Sequence, residues 1–119
     1  MNAVVLVVDD NPSVRASTSR LLRAHGYTVA TASDATLAVQ RASEIRPDVI
    51  LMDLHMANQS GIDTARQIRE IAELVTIPII AISATPPDWA HLSTLFVAVL
   101  RKPCPSTTLI STIVATIGR

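Results

Sequence analysis

Short runs of aliphatic, mostly β-branched residues alternate along this chain with stretches in which apolar residues recur at helical spacing. Continuous apolar runs of this length are typical of strands that are buried on both faces, as strands are in a parallel sheet. The runs predict five strands. They lie at Ala3–Val8, Tyr27–Thr31, Val49–Asp53, Ile79–Ile82 and Val97–Leu100.

Five helices are predicted between and after these strands, because residues suited to helix starts precede each helical stretch. The first runs from Pro12 to about His25, the second from the Asp34 cap to a point before Pro47, and the third from about Gly61 to Leu74. The fourth begins at Pro86 or Pro87 and carries Trp89, Leu92 and Leu95. The fifth begins at Pro105 or Ser106. The residues predicted to face inward are Val14, Thr18, Leu21, Leu22 and His25, then Ala35, Ala38, Ala42 and Ile45, then Ile62, Ala65, Ile68 and Ala72, and finally Leu109, Ile110, Ile113, Val114 and Ile117. The apolar side chains of the fourth helix have two open interpretations, burial in the core or an exposed patch that binds a partner.

Strict alternation of strands and helices indicates right-handed crossovers and a doubly wound α/β fold. For five parallel strands we expect the flavodoxin-like order 2-1-3-4-5, in which the chain reverses direction across the sheet between strands 1 and 3. Ligands of such sheets bind beyond the carboxyl ends of the strands at this reversal. Asp9 and Asp10 end strand 1 and Asp53 ends strand 3, so the three carboxylates are predicted to meet there.

Composition excludes several other classes of protein. A chain of 119 residues with 49% hydrophobic residues is long enough for one domain with a real core. Ten basic and ten acidic residues cancel, and no basic patch indicates binding to nucleic acid. The single cysteine, Cys104, excludes an intrachain disulfide. No apolar stretch approaches the length of a membrane span and no signal-peptide pattern is present, so we expect a soluble, cytoplasmic protein.

The residues at the strand ends are suited to phosphate chemistry. Three carboxylates in one cleft repel one another by roughly 4 kcal/mol per pair at about 4 Å and an effective dielectric constant of about 20, so a cation is needed, and an all-oxygen set suits Mg²⁺ or Mn²⁺. Ser83 follows the fourth strand, and Lys102, the single lysine, comes just after the fifth. Together they can neutralise a phosphoryl group, and an aspartate can accept one. Any one of these residues alone is more often a helix cap or a turn residue; their coincidence favours a site.

The chain resembles the receiver domain of bacterial two-component response regulators, the fold family of the chemotaxis protein CheY. The resemblance lies in the segments Val5–Pro12, Pro47–Met56 and Pro78–Ala84, in the Lys102-Pro103 pair and in Gly61. The resemblance covers the whole chain, so we expect a single receiver domain over residues 1–119 with no output domain among them, either as a stand-alone regulator or as a piece of a larger hybrid protein. It also implies a cis peptide bond between Lys102 and Pro103.

For the site, the resemblance implies that Asp53 is the phosphoacceptor. Asp10 and Asp53 would ligate Mg²⁺ directly, together with the backbone carbonyl of His55, and Asp9 would act through a metal-bound water. Ser83 would donate a hydrogen bond to one phosphoryl oxygen.

The resemblance also implies that Lys102 would pair with another phosphoryl oxygen. The side chains of His55 and Thr85 stand where they can modulate the lifetime of the aspartyl phosphate. Val99 occupies the position of the family's usual aromatic switch residue.

The function implied is acceptance of a phosphoryl group from a histidine kinase or a histidine phosphotransfer protein, followed by a conformational switch. Such a protein phosphorylates and dephosphorylates itself and is not a turnover enzyme. A downstream partner or a second copy would bind the face formed by the fourth helix, fifth strand and last helix. Val99 motivates one alternative, a phosphorylation-independent interaction domain that retains the pocket. A Mg²⁺-dependent phosphohydrolase is another, although His55 stands where the common motif has a second aspartate.

Overall fold

A parallel five-stranded sheet forms the centre of the computed structural model, which describes residues 2–56, 60–85 and 92–118. The strands are β1 (Val4–Val8), β2 (Thr28–Ala32), β3 (Val49–Asp53), β4 (Ile79–Ser83) and β5 (Ala98–Arg101). Their order is β2-β1-β3-β4-β5, and every neighbouring pair is parallel. The predicted fold class and strand order are confirmed, with strand ends displaced by at most one residue from the predicted ones.

Helices cover both faces of the sheet. They are α1 (Pro12–Ala24), α2 (Ala35–Ile45), α3 (Gly61–Arg69) and a C-terminal helix (Ser106–Ile117), with a short 3₁₀ turn at Ala72–Leu74. The start of the predicted fourth helix, including Trp89, lies outside the described residues. No helix in the described ranges has both the length and the apolar character needed to cross a bilayer.

Alternate residues of the central strands face two separate cores, as the period of two in a strand requires. One core lies under α2 and α3, and the other lies under α1 and the C-terminal helix. Asp53 continues the row of β3 side chains that face the second core, under α1 and the C-terminal helix. Ser83 continues the row of β4 side chains that face the first core, under α2 and α3. Members of the first core include Leu6, Ile50, Met52, Ile79, Ala81, Leu92 and Phe96, and members of the second include Val5, Val7, Leu22, Leu51, Ile80, Leu109 and Ile113.

Several helix predictions need correction. α3 ends at Arg69 instead of continuing to Leu74; Ala72 is exposed in the 3₁₀ turn, and Leu74 is buried in its place. Four residues predicted to face inward lie at the edges of their helix stripes and are exposed, namely Val14, His25, Ile45 and Val114. Leu92 is buried, which favours the core interpretation for that position.

Arg69, the last residue of α3, has a structural role that no sequence pattern indicated. Its guanidinium donates to the backbone carbonyls of Leu74, Val75, Ile77 and Leu95 at 2.6–3.3 Å. Burial lowers the pKa of Arg69, but four carbonyl acceptors compensate for the lost hydration of the charge. Arg69 therefore ties the turn before β4 to the segment that precedes β5.

We expect the Arg69→Met substitution to lower the free energy of unfolding by about 2–3 kcal/mol, because it removes a charged donor and leaves carbonyls without partners. Arg66→Met is a matched control, since the Arg66 side chain makes an exposed ion pair with Asp63 at 3.5 Å. Its loss should lower the free energy of unfolding by less than about 0.5 kcal/mol. Urea denaturation of both variants measures the difference. Equal effects would contradict the role of Arg69.

Candidate functional site

The carboxyl ends of β1 and β3 bring three aspartates together. These strands are neighbours, with Val8 paired to Met52, so the residues that follow them share one edge of the sheet. Oxygen atoms of Asp9, Asp10 and Asp53 all lie within 4.8 Å of one another. The cluster predicted from the strand order is therefore present.

Asp9 directly follows β1 and is buried. Two hydrogen bonds hold it in place. Its Oδ1 accepts the N–H of Asn11 at 2.9 Å, and its backbone carbonyl accepts a hydrogen bond from Nη1 of Arg15 at 2.9 Å. Burial raises the pKa of the Asp9 carboxyl, and the charges of Asp53 and Asp10 raise it further. Arg15 was not predicted, since one arginine in an amphipathic helix has no distinguishing signal.

Asp53 ends β3 and is only 5% exposed. Its Oδ1 accepts the backbone N–H of His55 at 3.0 Å and lies 3.3 Å from Nζ of Lys102. Lys102 is positioned by its own backbone N–H, which donates to the carbonyl of Ser83 at 2.9 Å. The peptide bond between Lys102 and Pro103 is cis, as predicted.

Ser83 ends β4 and is completely buried. Its Oγ accepts the backbone N–H of Thr85 at 3.2 Å and lies 2.9 Å from Nε2 of His55. Thr85 Oγ1 is 3.4 Å from the same ring nitrogen. His55 is thus more than a solvated loop residue, because its ring contacts a hydroxyl group of the site.

The site opens into a cleft of about 550 Å³ on the side of α1 and the C-terminal helix. Asp9, Asp53 and Lys102 lie on its polar rim, and aliphatic side chains form its wall. Ser83 does not line this cleft.

The position three residues before Lys102 has no aromatic ring. Val99 lies within β5, is partly buried and packs against the first core. Phe96 precedes β5 and is buried, 2% exposed. The segment around β5 therefore places its single phenylalanine in the core, away from the position of the usual switch residue.

The donor set fits a hard divalent cation. Three carboxylates in one cluster offer only oxygen atoms, which Mg²⁺ prefers. Burial is the main reason that the pKa of Asp9 is raised, and the neighbouring charges of Asp53 and Asp10, which a bound cation would offset, raise it further. Lys102 contributes one positive charge against three negative ones.

The chain is similar to known proteins in sequence and in fold. The response regulator receiver domain family matches the chain over residues 5–114. The response regulator MprA of Mycobacterium ulcerans is 36% identical over 84 residues, which cover 71% of this chain and 35% of that protein. Protein PilH of Pseudomonas aeruginosa is 35% identical over 81 residues, or 68% of this chain and 67% of PilH. The chain spans about a third of the length of the first curated relatives that it matches.

Solved structures of other proteins have folds closely similar to that of this chain. The receiver domain of a sensor histidine kinase from Pseudomonas aeruginosa PAO1, with a magnesium ion coordinated in its active site cleft, superimposes with a TM-score of 0.90 at 30% identity and covers 100% of both chains. The chemotaxis protein CheY4 of Vibrio cholerae gives a TM-score of 0.90 at 28% identity and covers 98% of this chain and 99% of CheY4.

Fold and site together define a signalling domain built around an acidic pocket at the reversal point of a doubly wound sheet. The chain belongs to the response regulator receiver domain family, the phosphoryl-accepting module of two-component signalling. This assignment favours the phosphoryl-accepting function over the alternative of a phosphorylation-independent interaction domain.

We expect Asp9→Asn to raise the free energy of unfolding of the metal-free protein by about 2 kcal/mol near neutral pH, because it removes one of three crowded charges. The pKa of Asp9 in the folded state is raised above its ordinary value of 3.8. Ionisation of Asp9 therefore lowers the stability of the wild-type protein as the pH rises from 3.8 through the folded-state pKa. The gain from Asp9→Asn should therefore grow between about pH 4 and pH 7. Thermal unfolding across this range measures it, and a gain that is independent of pH would contradict the prediction.

Proposed function

We propose that Asp53 is the residue that accepts the phosphoryl group. A carboxylate oxygen of Asp53 attacks the phosphorus atom of a phosphohistidine, a P–O bond forms and the P–N bond breaks. The bonding electron pair goes to the donor's imidazole nitrogen. Both contacts of Asp53 within the described residues use Oδ1, so Oδ2 is the oxygen that we assign to the attack.

The observation that carries this proposal is the ion pair between Lys102 and the buried Asp53 at 3.3 Å. A lysine at that distance neutralises charge on the phosphoryl oxygens during transfer. Ser83, at the end of β4, supplies a hydroxyl donor. Loss of the group proceeds by attack of water on phosphorus, which breaks the P–O bond, releases inorganic phosphate and regenerates Asp53; no other substrate is turned over.

Mg²⁺ would be held by Asp10, Asp53 and the backbone carbonyl of His55, with Asp9 acting through a bound water; Mn²⁺ suits the same ligands. When bound, the ion neutralises the carboxylates and stabilises charge on phosphoryl oxygens. The donor set of the acidic cluster supports this assignment.

Binding of Mg²⁺ should raise the thermal stability of the wild-type protein more than that of Asp10→Ala.

For partners, we infer a histidine kinase or a histidine phosphotransfer protein as the phosphoryl donor. A downstream protein or a second copy would bind the face that includes β5 and the C-terminal helix. The exposed aliphatic side chains of Val97 and Val114 support that choice. The remainder of this face, from the predicted fourth helix, lies mostly outside the described residues.

The decisive experiment treats the protein with acetyl phosphate and Mg²⁺ and follows its intact mass. We expect one phosphoryl group to be added to the wild type, to be lost on standing, and to be absent from Asp53→Asn. Beryllofluoride with Mg²⁺ should give a stable analogue of the same state. Equal labelling of wild type and Asp53→Asn would overturn the assignment of Asp53.

A further inference from the structure

The hydroxyl group of Ser83 needs an acceptor for its own proton. Its Oγ accepts the N–H of Thr85, and the residue is fully buried, so water does not readily take that proton. Among the contacts of Ser83 within residues 2–56, 60–85 and 92–118, the group able to take this proton is Nε2 of His55, 2.9 Å away. Buried hydroxyl groups are nearly always satisfied, so we assign a hydrogen bond in which Ser83 donates to Nε2 and the His55 ring is protonated at Nδ1.

A phosphoryl group on Asp53 would compete for that proton. Its oxygens are anionic, and charge-assisted hydrogen bonds are roughly twice as strong as neutral ones. Ser83 has one proton and cannot donate to the phosphoryl group and to His55 together. When it turns to the phosphoryl group, Nε2 of His55 loses its donor.

The backbone of His55 is anchored separately from its ring. The N–H of His55 donates to Oδ1 of Asp53 at 3.0 Å, which anchors the main chain beside the phosphoacceptor. The residue is exposed to solvent overall, so water can solvate a released ring at low cost. Thr85 Oγ1, 3.4 Å from Nε2, is a second donor toward which the ring can move.

We propose that His55 is a positioning residue that reports the state of Asp53: its imidazole is held by Ser83 before phosphorylation and is released when Ser83 binds the phosphoryl group. This inference rests on the proposed function of Asp53. It provides an outward signal at the β3–α3 loop in a chain whose β5 carries Val99 and no aromatic ring at the usual switch position. The surface around His55 and Thr85 would then differ between the two states.

NMR spectroscopy of the histidine rings at one fixed pH tests the proposal, with beryllofluoride and Mg²⁺ as the phosphoryl mimic. We expect the nuclear Overhauser contacts between the His55 ring and Ser83 to be lost and the Nε2 resonance of His55 to shift. His25 is the internal control, because its Nδ1 lies 3.0 Å from the carbonyl of Leu21 at the far end of α1. Mg²⁺ alone provides the baseline for effects of the metal.

Two variants separate this release from a general change in structure. Ser83→Ala removes the donor, so its His55 ring should already show the released Nε2 resonance and should not shift further. Ser83→Thr keeps a hydroxyl group and should retain the response. Backbone amide spectra show that each variant is folded.

Failure of the inference can be distinguished from failure of the proposed function. If beryllofluoride shifts the amides of Asp53 and Lys102 while the His55 ring keeps its contacts to Ser83, then Asp53 is occupied and the role of His55 is wrong. If beryllofluoride with Mg²⁺ shifts no amides in the wild type, the proposed function itself is wrong.

Discussion

The Lys102→Met variant should accept a phosphoryl group from acetyl phosphate about 10²–10³-fold more slowly than the wild type. In enzymes, removing a single charge-stabilising group from a preorganised site lowers the reaction rate by a factor of this size. Here the ammonium group lies 3.3 Å from Asp53 Oδ1, and the Lys102 side chain is only about a third exposed, at 35%. Methionine keeps most of the length and apolar packing of the side chain and removes the charge. Initial rates followed by intact mass measure the difference.

Binding of Mg²⁺ distinguishes loss of phosphoryl stabilisation from loss of the metal. Lys102→Met removes a cation from beside three carboxylates, so the variant should bind Mg²⁺ at least as tightly as the wild type. Lys102→Arg keeps the charge with a different shape and should be slower than the wild type but faster than Lys102→Met. A Lys102→Met rate within about threefold of the wild type would remove Lys102 from the transfer step, since an effect that small corresponds to well under 1.4 kcal/mol.

Gly61→Ala should lower the free energy of unfolding by roughly 3–5 kcal/mol, near the upper end for overpacking. A Cβ atom at Gly61 would lie 2.3 Å from the carbonyl oxygen of Asp53 and 2.8 Å from Cα of Leu54. Both are backbone atoms, which cannot rotate away as a flexible side chain does. Alanine would otherwise favour α3 by up to about 1 kcal/mol, so the sign of the effect reports the contact with β3.

Gly118→Ala is a matched control for this substitution. Gly118 has a positive φ of 81°, and nothing lies within 4 Å of the added Cβ, so alanine there meets backbone strain of about 1–2 kcal/mol and no clash. Urea denaturation should therefore rank Gly61→Ala as clearly less stable than Gly118→Ala. Phosphorylation of Gly61→Ala should also slow, because relief of the clash moves the main chain of Asp53. A stability equal to the wild type would show that α3 and β3 can separate without cost.

Much of the fold was determined by local sequence. Buried β-branched runs, separated by helical stretches with polar caps, have few ways to pack, and strict alternation leads to a parallel sheet covered on both faces. The side chain of Asn11 accepts the N–H groups of Ser13 and Val14, as its place before Pro12 predicts. The predicted end of α3 was wrong, and no local signal reveals the four carbonyls that Arg69 reaches outside its own helix.

The acidic site could likewise be predicted, because strand order alone brings Asp9, Asp10 and Asp53 to one edge of the sheet. The single lysine of the chain, Lys102, follows the last strand, and its charge complements that cluster. Roles for individual side chains came from the resemblance to a family. The carboxylate cluster then appeared where it was expected, and the structure adds an ion pair between Lys102 and Asp53.

What only the tertiary structure decided was how residues distant in sequence share hydrogen bonds. His55 and Ser83 are 28 residues apart, and their contact depends on β3 and β4 ending side by side in the sheet. Arg15 also reaches the carbonyl of Asp9. Periodicity and caps report neighbours along a helix or strand, whereas the direction of a side chain between two elements depends on how those elements pack. The sequence by itself therefore determined the sheet and its acidic edge, and packing decided which groups hold that edge in place.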